Sequence, residues 1–231
     1  MSVNSSRAEA MDTLVCERKA CRLCPELTNP SCVRDGALDS DELGPWTLWQ
    51  GRIDAEILVV GQDWGDVASF ERNLGFEEPG NPTNQRLIEL LSLAGVEVTV
   101  PTKLGRAGTA FFTNAILCLK TGGLQGRVEP RWFESCGVRF LRRAIEIVSP
   151  RAVVGLGAHA TTAICRAYGV DPPSNFATAV AAVGISLQGG PTLFPRYHCG
   201  ARSTNMNRSR ERQDEDWRRI GLWLANSRDG G

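Results

Sequence analysis

The chain has 231 residues, 42% of them hydrophobic and 23% charged, which is the composition of a folded globular protein and excludes disordered and fibrous classes. Lys+Arg total 26 and Asp+Glu total 26, so a bulk electrostatic grip on nucleic acid is excluded, although a local basic face is not. No apolar run approaches the roughly 18 residues of a membrane span, and the N-terminal MSVNSSRAEAMD has no apolar core after a basic start. A chain without a secretory leader or membrane segment is expected to be intracellular and cytoplasmic. Its eight cysteines then stand in a reducing compartment, where clustered thiols more often hold metal than form disulfides. Only two histidines, His159 and His198, are present, so any metal must be held mostly by sulfur.

In chain order, residues 8–24 read as a polar helical lead-in that ends at Cys21-Arg22-Leu23-Cys24-Pro25. Residues 28–52, rich in Gly, Pro, Asn and Asp, read as an irregular wrap anchored by Trp46 and Trp49. Ile57-Leu58-Val59-Val60, closed by Gly61, suits a strand buried on both faces. Residues 84–94 carry Leu87, Ile88, Leu90, Leu91 and Ala94 at helical spacing. Residues 110–117 are strand-like, and 132–148 form a helical pattern that Pro150 stops. A third apolar strand, 152–156, precedes a helical stretch at 158–168. Residues 183–187 and 192–194 are strand-like around Gly189-Gly190-Pro191, and a last helix spans about 213–226.

Apolar strands alternating with helices predict a three-layer α/β sandwich with a central, mostly parallel, four-stranded sheet. We read a single domain over 1–231, with residues 1–52 as a cysteine-bearing extension packed on it.

In such sheets chemistry gathers just past the carboxyl ends of the strands. Gly61-Gln62-Asp63, Thr113-Asn114 and Tyr197-His198 each end a predicted strand with polar residues, so the topology brings them to one rim. Asp63 is a turn or cap residue, or else a carboxylate that positions water and stabilises a cation. Asn114, inside an apolar strand, must be hydrogen-bonded, either as a backbone bridge or as an amide that reads a planar base edge. At the rim, His198 can hydrogen-bond a developing anion. Cys21-x2-Cys24 serves zinc, iron–sulfur and redox sites alike, and its partners come from Cys16, Cys32, Cys118, Cys136, Cys165 and Cys199. An all-cysteine set fits a [4Fe–4S] cluster or a zinc ion. After His198 the chain is rich in arginine and small polar residues, a mix that suits phosphate and is equally that of a solvated charged face.

Val59-Val60-Gly61-Gln62-Asp63 resembles the first signature of the uracil-DNA glycosylase superfamily. Phe112-Thr113-Asn114-Ala115-Ile116-Leu117-Cys118 resembles the T-N-x-x-x-C stretch of its iron–sulfur branch, the family 4 enzymes. PRAVVGLGAHA at 150–160 is similar to the P-x-V-I-V-x-L-G-x-x-A of that branch, and Phe194-Pro195-Arg196-Tyr197-His198 to its F-P-x-Y-H. The resemblance implies a uracil-DNA glycosylase-like fold and a repair enzyme, expected to be monomeric. Such an enzyme flips uracil or a related deaminated base out of DNA and hydrolyses its N-glycosidic bond. It further implies Asp63 and His198 as catalytic residues and Gln62, Phe76 and Asn114 as base-binding residues. Arg202, Ser203, Asn205 and Arg208 would contact DNA, and Cys21, Cys24, Cys118 and Cys136 would ligate the [4Fe–4S] cluster, zinc being the alternative.

Three departures stand out. The first motif reads GQDWG, with Gly65 where the classical enzymes carry a tyrosine that excludes thymine. The second reads His198-Cys199-Gly200 rather than H-P-S, and Cys32 is an extra candidate ligand. Two other function classes fit the same residues: a non-catalytic, cluster- or zinc-bearing nucleic-acid-binding protein, and a zinc-stabilised enzyme of free nucleotides.

Overall fold

The computed structural model describes residues 3–44, 47–78, 80–99, 108–123, 126–200, 203 and 206–227. Five strands form one sheet: β1 (Ile57–Gly61), β2 (Phe111–Asn114), β3 (Ala152–Leu156), β4 (Ile185–Ser186) and β5 (Thr192–Arg196), in the order β2-β1-β3-β5-β4. β2, β1, β3 and β5 run parallel; the fifth strand, β4, is a two-residue antiparallel edge against β5. The sequence expectation of four strands is thus corrected to five. The addition is the 183–187 arm of the hairpin turning at Gly189, which pairs only at Ile185 and Ser186.

The helices are α1 (Val3–Ala20), α2 (Val67–Arg72), α3 (Pro82–Leu93), α4 (Pro130–Cys136), α5 (Arg143–Val148), α6 (Ala158–Ala167), α7 (Phe176–Ala181) and α8 (Arg210–Asn226). α4 and α5 are the single helix expected over 132–148, interrupted by a π-helical stretch at Gly137–Arg142. Among the described residues no helix is long and apolar enough to cross a membrane.

Side chains alternate across a strand, and here the alternation sorts the core into two layers. Leu58, Val60, Phe111, Val153 and Leu193 face Leu14, Phe140, Ile145 and Ile164 of the helices on one side. Ile57, Val59, Phe112, Val154 and Phe194 face Leu87, Leu90, Trp217 and Ile220 on the other. Parallel strands covered on both faces need this near-continuous apolar composition.

The cysteine-bearing N-terminal segment is tied down by polar contacts. Arg18, 1% exposed on its side chain, pairs with buried Asp39 at 2.7 Å and donates to the carbonyls of Ser40 and Glu42. Glu17 pairs with Arg143 on α5. Thr28 and Leu119 exchange backbone hydrogen bonds, which clips the Cys24 loop to the chain beyond β2. Of the two tryptophans expected to anchor the wrap, Trp49 is buried edge-on against Phe112, and Trp46 lies outside the described residues.

Candidate active site

Four parallel strands deliver four carboxyl ends to one edge, and the register aligns them. Gly61 pairs with Asn114 across β1 and β2, and Leu156 pairs with Arg196 across β3 and β5. Gly61-Gln62-Asp63, Asn114, Gly157-Ala158-His159 and His198 therefore meet around a cavity of about 800 Å³. Gly61 is needed there, since a Cβ at that position would stand 2.0 Å from Asn114 Oδ1. Asn114 itself is 8% exposed, held at the cavity wall where β2 stops.

The Asp63 carboxylate is held from three directions. Oδ2 accepts from Gln62 Nε2 at 2.7 Å and pairs with Lys120 Nζ at 3.2 Å; Oδ1 accepts the Gly65 N–H at 2.9 Å. Oδ1 keeps one further acceptor site by its inventory of lone pairs. Gly65 sits at φ +93°, a left-handed conformation that glycine adopts without strain. The Gln62 amide is oriented in turn by His159, whose Nδ1 lies 2.7 Å from Gln62 Oε1. Because Gln62 Nε2 is committed to a carboxylate, Oε1 must accept, so His159 carries its proton on Nδ1.

Lys120 arrives at Asp63 by backbone pairing. Its N–H donates to the Gly65 carbonyl at 3.0 Å, and its carbonyl accepts from Val67 N–H at 3.1 Å. Both Lys120 and Asp63 are nearly fully buried, with side-chain exposures of 4% and 6%.

His198 sits exposed at the mouth, with its Nδ1 accepting the Gly200 N–H at 3.0 Å. In the neutral ring that contact leaves the proton on Nε2. Desolvation by the surrounding protein holds its pKa below the ordinary 6.5, and the nearby Asp63 charge pulls the other way.

Gln62, Asp63, Asn114 and His198 are thus brought together as the sequence implies. Phe76 is not: it is 39% exposed and absent from the cavity lining. Leu74 and Gly75, both at positive φ, reverse the chain immediately before it, so a spacing of thirteen residues from Asp63 does not carry the ring to the rim. The aromatic rings lining the cavity are instead Trp49, Trp64 and Phe112. Ser203 lines the cavity as well. Arg208, expected on DNA, places its guanidinium on buried Asp216 at 2.7 and 2.9 Å, and so serves the fold. Arg202 and Asn205 lie outside the described residues.

Lys120 and His159 were missed in the sequence. His159 follows β3 as directly as Asp63 follows β1, so strand-end logic applied to every strand finds it. Lys120 had no signal of its own, because it reaches Asp63 only through the irregular pairing beyond β2.

A second cavity, of about 410 Å³, is lined by Cys21, Cys24, Cys118 and Cys136 together with Cys32, Arg18, Leu27, Leu117 and Phe140. Burial pushes the Cys118 thiol up to about 12, and the neighbouring Cys136, Cys21 and Cys24 add to the shift. Burial likewise raises Cys136 to about 11, with Cys24 and Cys21 contributing. Only as thiolates would the four need a cation to offset them. Among the described residues, no three His, Cys, Asp or Glu side chains converge closely enough to hold a single metal ion.

A mostly parallel α/β sheet thus places a carboxylate, an amide and an imidazole around one strand-end cavity. The family model of the uracil DNA glycosylase superfamily matches residues 48–221, most of the chain, and the protein belongs to that superfamily. No curated protein matches it significantly.

Proposed function

We propose that the protein is a DNA glycosylase that takes an extruded uracil, or a related deaminated base, into the strand-end cavity and hydrolyses its N-glycosidic bond. Membership of the superfamily supports the reaction class. The observation that carries the reading is the shared cavity of Asp63, Asn114 and His198.

As the glycosidic bond stretches, positive charge develops on the sugar and negative charge on the base. Asp63, fixed by Gln62, Gly65 and Lys120, faces the positive sugar, and its remaining Oδ1 site orients the attacking water. His198 donates Nε2–H to the departing base oxygen, the role its Gly200 contact prepares. Asn114 reads the base edge through its donor–acceptor pair, so a cytosine leaves a buried polar group mismatched. Stacking surface comes from Trp64 and Phe112 rather than Phe76.

Cys21, Cys24, Cys118 and Cys136 are assigned to a [4Fe–4S] cluster. The fit rests on four thiols lining one cavity, Cys21 and Cys24 from the N-terminal segment and Cys118 and Cys136 from the sheet domain, with zinc as the alternative occupant. When bound, the cluster supplies structural cross-linking of residues 21–24 to the chain after β2 and to α4. Residues 1–52 thus act as an extension stapled to the sheet domain.

The test is abasic-site formation on uracil-containing oligonucleotides, single- and double-stranded, beside a panel of other deaminated bases. Wild type is expected to release uracil. Asp63→Asn and His198→Ala are each expected to lose about 10²–10³ in rate, the scale of removing one preorganised electrostatic group. Release of no base from any substrate overturns the reading.

A further inference from the structure

Lys120 sits awkwardly with hydrolysis alone. Its ammonium, 3.2 Å from Asp63, offsets part of the negative charge that a positive sugar would use. A purely structural counter-charge has no need to be lysine. Elsewhere among the described residues, the buried or half-buried carboxylates that enter ion pairs are clamped by arginine, as Asp39 is by Arg18, Asp214 by Arg86 and Asp216 by Arg208. The bias is compositional too, because Lys+Arg total 26 and only three of these are lysines, Lys19, Lys103 and Lys120. Among the described residues lining the cavity, Lys120 is the only one with an ammonium or guanidinium group. Arginine makes the better clamp, whereas lysine can shed its proton and attack a carbonyl.

We propose that Lys120 is the nucleophile of a second activity, a β-lyase that cleaves the DNA strand at the abasic site. The inference rests on the proposed base excision, since that reaction generates in this cavity the sugar whose open-chain form is an aldehyde. Lys120 passes a proton to Asp63, and its Nζ adds to C1′ of the aldehyde. Asp63 returns the proton to the hydroxyl, which leaves as water, and the imine forms. Asp63 then takes a proton from C2′, and the C3′–O bond breaks with its electron pair leaving on the phosphate. Water hydrolyses the imine, which frees Lys120 and leaves an unsaturated aldehyde on the upstream fragment and a 5′-phosphate on the downstream one. No oxidant or reductant enters. The roles follow from position: an amine and a carboxylate in contact, both buried, both lining one cavity.

The experiment uses the full, metal-loaded chain, an oligonucleotide carrying a preformed abasic site, and sodium borohydride to reduce any imine to a stable amine. The expected result is a covalent protein–DNA adduct that maps to the Lys120 peptide, with strand cleavage in the absence of borohydride. Lys120→Arg, which keeps the charge but forms no imine, is expected to reduce both to the no-protein background. No adduct, or an adduct only on the N-terminal amine, Lys19 or Lys103, overturns the proposal. Mapping on wild type needs no variant to fold. Uracil release measured on the same preparation separates the two ideas. Excision without an adduct sinks the lyase and leaves the glycosylase standing, and an adduct without excision does the reverse.

Discussion

His198 and Gly61 show how single residues set the chemistry of the rim. Because desolvation keeps the His198 pKa below 6.5, the ring is neutral at pH 7 with Nε2–H available as a donor. As pH falls through the folded-state value, Nδ1 gains a proton and confronts the Gly200 N–H that it had accepted. The acid limb of kcat/KM is therefore expected below pH 6.5, and it is expected to be absent from the residual activity of His198→Ala; a pH–rate series on both proteins checks this. The stability sign agrees: a depressed histidine pKa contributes stability that is present above the unfolded value and lost as pH falls through the folded one. Gly61→Ala tests the packing behind the amide. Its Cβ, 2.0 Å from Asn114 Oδ1, must displace that side chain. We expect about 1–3 kcal/mol of destabilisation in urea denaturation, the usual cost of overpacking, with a loss of excision greater than the stability change explains.

At the level of elements, what was legible in the sequence was what carries a period or a breaker. Ile57–Gly61 and Ala152–Leu156 read as buried strands because every residue is apolar and glycine ends or follows the run. The stretch read as a strand over 110–117 is regular only to Asn114. Ala115 and Ile116 still donate to Gly61 and Gln62, but the chain then turns toward Thr28. That departure is a tertiary effect with no local signature, and it is why Cys118 was legible by motif while Lys120 was not. Short helices were lost for a similar reason: α2 and α7 have six residues each, too few to establish a period.

The same pairing makes the cysteine cavity and the rim mechanically continuous, since Cys118 and Lys120 flank Leu119, which is clipped to Thr28. On the proposed cluster assignment and base excision, Cys136→Ser is accordingly expected to lower bound iron and acid-labile sulfide, to reduce the melting temperature and to slow excision together. Unchanged iron content would retire the ligand assignment. Arg18→Ala leaves Asp39 buried without its partner and two carbonyls without their donor. A loss of about 3–5 kcal/mol is expected in chemical denaturation, the scale for breaking a buried pair.

For the whole molecule, zero net charge constrains how DNA can be held. Association cannot draw on a general positive field, so phosphate contacts must be few and local. The structure sharpens this, because several arginines near the rim already face acids of the same chain: Arg208 faces Asp216, Arg210 faces Glu89, and Arg86 faces Asp214. Glu77 and Glu78 line the cavity itself and repel phosphate from that wall. Polar neutral groups there, among them Thr83, Asn84, Ser203 and Asn207, are of the kind that can donate to phosphate or sugar oxygens without displacing the DNA's counterions. Each phosphate neutralised by a cation contributes about −0.9 to the slope of log K against log salt on duplex DNA, so proteins making six to ten such contacts show steep slopes. This chain is expected to bind an abasic-site duplex with a slope shallower than about −5. A fluorescence-anisotropy titration across a salt series measures it directly. A steeper value would mean that the arginine-rich chain after His198 abandons its internal acids for DNA. Arg208→Gln and Arg210→Gln would then each flatten the slope, whereas arginines kept on Asp216 and Glu89 leave it unchanged.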